Sequence, residues 1–90
     1  MIDTLSANGA TSTYVTKNPD QNLIHVAGRG TWGGGTATVQ RKDEEGNWRD
    51  IVNAAKTADF DIVVDFPGGR REVRVNLTGA TTPSLTFEFS

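Results

Sequence analysis

The sequence contains no cysteine, so neither a disulfide framework nor a thiolate metal site can supplement its core. Its one histidine, His25, has no partner histidine or cysteine with which to build a zinc site. No apolar run approaches the roughly 20 residues that a bilayer span needs. The start, Met1-Ile2-Asp3-Thr4-Leu5, has neither the basic nor the apolar segment of a secretion signal. The expectation is a protein made and first held in the cytosol, with no membrane contact. Lys and Arg number 9 against 11 Asp and Glu, a formal charge of −2. Nucleic acid and anionic lipid call for a clustered excess of cations, so neither is expected as a partner. Helical periodicity is also missing. The best candidate, Asn53 to Ala58, is about one and a half turns long without an apolar stripe, and reads as a connecting loop.

What is present is threonine, valine and short alternations, broken every 8–12 residues or so by Gly, Pro, Asn or Asp. This pattern predicts an all-β fold, an antiparallel β-sandwich of jelly-roll or Ig-like type with about seven to eight strands. At 90 residues the chain forms one domain, 1–90, with 1–11 as an N-terminal arm or edge strand. A domain of this size buries about 60–65% of its unfolded surface, so partner subunits are a natural further source of stability.

Three hairpins are expected. Ser12 to Thr16 and Asn22 to Ala27 flank the turn formers Asn18-Pro19-Asp20. Thr36 to Arg41 and Asn47 to Val52 flank an acidic loop that closes on Gly46. In the third, Phe60, Ile62, Val64 and Phe66 share one face and Asp59, Asp61 and Asp65 the other. Beyond Pro67-Gly68-Gly69, Val73, Val75 and Leu77 then point inward. A turn centred on Pro67-Gly68 would set Asp65 opposite Arg70 and Asp61 opposite Arg74. Leu85, Phe87 and Phe89 form a last alternating strand, which must dock in the sandwich or against a neighbouring subunit.

Candidate sites are few. Gly28 to Gly33 spells G-x-G-x-x-G, but glycine and then a strand follow it, where a dinucleotide site needs a helix N-terminus. No cofactor is expected. Asp43, Glu44 and Glu45 lack the spacing of a calcium loop, and the aspartate stripe reads as a solvated face neutralised by arginines, so no metal is expected. No local motif fixes a serine nucleophile beside His25, and the chain reads as a non-enzyme. Trp48 reads as core. Trp32, in a glycine-rich loop, either caps the sandwich or enters a partner's pocket.

Three segments carry a resemblance. They are Ala27-Gly28-Arg29-Gly30-Thr31-Trp32-Gly33-Gly34-Gly35-Thr36-Ala37-Thr38-Val39-Gln40, then Gly46-Asn47-Trp48-Arg49-Asp50, then Phe66-Pro67-Gly68-Gly69-Arg70-Arg71-Glu72-Val73-Arg74-Val75 with Thr78-Gly79-Ala80. From about Asn22 onward the chain resembles a family of small structural proteins of tailed bacteriophage particles. The resemblance implies a non-enzymatic virion component: a capsid decoration, or cement, protein that bridges major capsid protein subunits at the capsid surface. It implies a homotrimer assembled in the host cytoplasm. On this reading Trp32, Leu85, Phe87 and Phe89 are the partner-binding residues. The alternative is a tail-fibre or receptor-binding module that stacks carbohydrate on Trp32 and Tyr14.

Overall fold

The computed structural model describes residues 1–15, 23–65 and 72–90, without the side chains of Val52 and Asn53. Nine strands and no helix are found among them: β1 (Ile2–Leu5), β2 (Gly9–Ala10), β3 (Tyr14–Val15), β4 (Leu23–Thr31), β5 (Thr36–Lys42), β6 (Trp48–Lys56), β7 (Phe60–Asp65), β8 (Glu72–Thr78) and β9 (Ser84–Phe89). They form two antiparallel sheets. The first has the order β1-β9-β4-β7 and the second β2-β8-β5-β6, with β3 also on β8. If β2 and β3 are counted as one interrupted strand, the eight strands cross from sheet to sheet at every connection except the β5–β6 hairpin, the order of a jelly roll. The all-β sandwich expected from the alternation is present, with one strand more than expected because Gly9–Ala10 pairs separately.

Alternation explains the core. Ile24 and Val26 of β4 and Leu85, Phe87 and Phe89 of β9 face Ala37 and Val39 of β5 and Val73, Val75 and Leu77 of β8, and all are buried. Intervening residues such as His25, Arg29, Gln40 and Arg74 point to solvent. Ile62 and Val64 extend the core under the β7 edge, where Asp61, Val63 and Asp65 are exposed.

Two of the three expected hairpins are corrected. Tyr14 and Val15 pair with Val73 and Glu72 in the second sheet, whereas β4 lies in the first between β7 and β9. Likewise β7 pairs with β4 and β8 pairs with β5, so Asp61 does not face Arg74. Asp61 meets His25, and Arg74 meets Gln40. The connections at 16–22 and 66–71, with the Asn-Pro-Asp and Pro-Gly turns, lie outside the described residues. Turn-forming residues suit a corner between sheets as well as a hairpin, and packing two apolar faces together outweighs cross-strand charge pairs worth a few tenths of a kcal/mol to about 1. The β5–β6 hairpin forms as expected, closing through Gly46 at φ +88°. However, β6 runs on to Lys56 through the segment expected as a loop. It does so past a bulge: Thr38 pairs with Ala55 but Gln40 with Asp50, so Val39 stands against four residues.

Two carboxylates fasten this frame. Asp3 of β1 accepts the N–H of Ser12 at 2.6 Å and of Thr4 at 2.9 Å, tying the first sheet to the broken edge of the second. In that break Thr11 is buried and its hydroxyl accepts the Val75 N–H at 3.0 Å, replacing a ladder bond. Asp43 accepts from Arg49 Nε at 2.9 Å and from the N–H groups of Asn47 at 2.8 Å and Glu45 at 3.0 Å, which sets the β5–β6 turn. The Arg49 side chain, then the turn amides, hold the Asp43 carboxyl below its ordinary 3.8, and the Ser12 amide leads in lowering Asp3. Both groups bind protons more weakly folded than unfolded. Their stabilisation is therefore complete above the unfolded value and is lost as pH falls through the lowered folded values. Urea midpoints are expected to fall below about pH 4. Asp43→Asn should lower the midpoint at pH 6 and flatten the acid limb; identical acid limbs in variant and wild type would contradict the assignment.

Candidate functional site

One end of the sandwich is closed by its loops. Asn8, between β1 and β2, accepts the Ala80 N–H at 2.9 Å and donates to the Ala80 carbonyl at 3.0 Å. The Thr81 N–H donates to the Gly33 carbonyl at 2.9 Å, joining the β4–β5 and β8–β9 connections. Trp32 completes the closure. Its indole N–H donates to Asp59 Oδ1 at 2.8 Å, an oxygen that also accepts the Gly30 N–H at 3.2 Å. Its ring meets Phe87 edge-on at 6.3 Å and lies tilted against Phe60 at 6.1 Å. Trp32 therefore caps the sandwich.

The other residues singled out from the sequence are not gathered with Trp32 on a surface. Leu85, Phe87 and Phe89 are interior, and the strand that carries them docks in its own sandwich rather than offering an apolar edge. Tyr14 is also buried, stacked on Phe89 at 5.8 Å, so it forms no exposed platform with Trp32. What the chain presents outward is its two sheet faces.

The face of the β1-β9-β4-β7 sheet carries a shallow groove of about 430 Å³, lined by residues that include His25, Ala27, Arg29, Asp61 and Glu88. Ala27 gives it a low floor. Two side-chain pairs flank that floor: His25 Nε2 hydrogen-bonded with Asp61 Oδ1, and the ion pair of Arg29 with Glu88 at 2.9 Å. Among the described residues no hydroxyl is hydrogen-bonded to the second imidazole nitrogen. Beyond it Leu23 and Val63 are 57% and 60% exposed on neighbouring strands.

The face of the β2-β8-β5-β6 sheet holds Trp48, which the sequence reading placed in the core. The β5–β6 turn sets Trp48 opposite Lys42, and Lys42 lies in the outward phase with Gln40. That phase was readable from Val39 inward and a turn spanning Asp43 to Asn47. Arg74 sits 4.3 Å from the Trp48 ring centroid and Lys42 5.8 Å. Arg74 Nε–H donates to Gln40 Oε1 at 2.8 Å, and Gln40 Nε2–H donates to Asp50 Oδ1 at 2.8 Å. A chain of planar groups thus lies across three strands. Among the described residues no group of three His, Asp or Glu side chains is placed to hold a metal ion.

The architecture is that of a jelly-roll β-sandwich with one closed end and two open sheet faces. No protein family, curated protein or solved structure matches the chain.

Proposed function

We propose that the chain is a non-enzymatic structural protein of a phage virion, a decoration protein that bridges major capsid protein subunits at the capsid surface and does so as a homotrimer. The observation that carries this reading is the strand order, β1-β9-β4-β7 against β2-β8-β5-β6. It is a jelly roll, an architecture used by viral capsid and lectin domains. Fold alone does not assign a role. The resemblance read from the Ala27–Gln40 and Gly46–Asp50 segments points the same way, as does the groove-bearing sheet face, where Leu23 and Val63 stand exposed beside the His25–Asp61 and Arg29–Glu88 pairs. A 90-residue domain gains stability by burying such a face between subunits, and binding to the assembled shell stabilises that shell by linkage.

Light scattering behind a sizing column, followed by co-sedimentation with capsids lacking the protein, tests the proposal. A trimer that binds shells and raises their rupture temperature is the expected result. A monomer that leaves the shells unbound and their rupture temperature unchanged would overturn it.

A further inference from the structure

We propose that the outer face of the β2-β8-β5-β6 sheet, at Trp48, Arg74 and Asp50, binds a carboxylate-bearing saccharide. Arg74 is held on two sides, by the Gln40 carbonyl oxygen on its Nε–H and by the Trp48 ring, whose centroid lies 4.3 Å from the guanidinium carbon. Among the described residues both Nη groups lack an acceptor and no carboxylate lies within ion-pair distance of Arg74. Among the described residues no buried side-chain nitrogen or oxygen lacks a partner, so these Nη groups reach solvent. An oriented guanidinium with its fork free is the donor set that a carboxylate fills in bidentate fashion. Because Gln40 and the indole already hold the guanidinium in place, little further ordering is needed when the ligand arrives.

The neighbours select the body of the ligand. Asp50 gives one oxygen to Gln40, and its other oxygen has no donor among the described residues. It therefore offers an acceptor to a hydroxyl within the same row of side chains. The indole supplies apolar surface beside both groups, as the C–H face of a pyranose requires. Charge argues against an acidic peptide: Lys42 and Arg74 are balanced by Glu72 and Asp50, so among the described residues the face has no surplus to draw in a run of carboxylates. One carboxylate among hydroxyls fits that balance. The site lies on a different sheet from the groove face and stands or falls independently of the particle reading.

The test is a ¹H–¹⁵N NMR titration with a galactose oligomer ending in a single galacturonic acid, a galactose oligomer of equal length, and a glutamate peptide. The acidic sugar is expected to shift the Trp48 indole N–H and the Arg74 Nε–H while leaving the Trp32 indole in place, with a Kd near or below about 1 mM. The neutral oligomer should bind at least about tenfold more weakly, a difference of roughly 1.4 kcal/mol. Arg74→Lys and Trp48→Phe should each weaken binding by a similar factor, with backbone amides elsewhere unmoved to show that the fold persists. Equal binding of acidic and neutral oligomers, no response to the acidic one, or unchanged affinity in Arg74→Lys would overturn the proposal. Tighter binding of the glutamate peptide would overturn it too, by reassigning the face to a protein partner.

Discussion

Replacing Phe87 by alanine is expected to remove about 3–5 kcal/mol of folding free energy, the cost of deleting a buried aromatic side chain and leaving its cavity. Phe87 is wholly buried, and its ring is shared by Trp32 and Phe60, at 6.3 Å each. It also fills the space above Gly28, where an added Cβ would lie 2.8 Å from the Phe87 ring. The aromatic cluster is therefore one packed unit, and β4 approaches it through a residue with no side chain. A domain this small sits toward the lower end of the usual 5–15 kcal/mol or so, which makes the loss a large part of the total. Urea denaturation is the measurement, with Phe87→Leu as the variant that keeps an apolar group in place. In a Trp48→Phe background, Phe87→Ala should also shift the remaining Trp32 emission to the red as its ring loses the edge contact. A loss below about 1 kcal/mol would mean that the site collapses around the missing ring, and that Trp32 is held by Asp59 alone.

The alternation in Phe60 to Val64 and in Val73 to Leu77 was legible because sandwich strands bury one face, and both periods reappear in the burial of these residues. The acidic β5–β6 turn was legible because Gly46 and Asp43 act within five residues of each other. Pairing was legible only where it was local. Nothing in Tyr14-Val15 points to Val73, nor in Leu23 to Thr31 toward both β7 and β9, since those choices depend on how two apolar surfaces meet across the whole chain. Charge misled in the same way. Arg74 looked like a partner for Asp61 when both were assigned to one hairpin, whereas in separate sheets it turns to Gln40 and Trp48. Trp48 was missed as a surface residue because size argued for the core, although the phase of β5 carried through the turn argued against it.

The second large effect concerns the glycines in the motif that carries the resemblance. Gly33 and Gly34 are adjacent, with φ of +57° and +76°, so alanine at either incurs the left-handed penalty of about 1–2 kcal/mol. Their surroundings separate them. A Cβ on Gly34 would meet nothing within 4 Å, whereas one on Gly33 would overlap the carbonyl oxygen of Thr81. That carbonyl has little room to retreat. The Thr81 N–H is bonded to Gly33 itself, and Thr82, next in the chain, takes φ +45°, the one positive value among non-glycine residues described. Gly33→Ala must therefore break the bond that joins the β4–β5 and β8–β9 connections or displace a turn already in a sparsely populated conformation. Its cost is expected to reach roughly 3 kcal/mol or more, while Gly34→Ala stays near 1–2 kcal/mol. Paired urea titrations read the difference directly. A large gap places Gly33 in the fold, at the closed end beside Trp32, and leaves partner contacts to the open sheet faces. Equal losses would mean that the Thr81 turn yields freely, and the closed end could then rearrange around a docked partner.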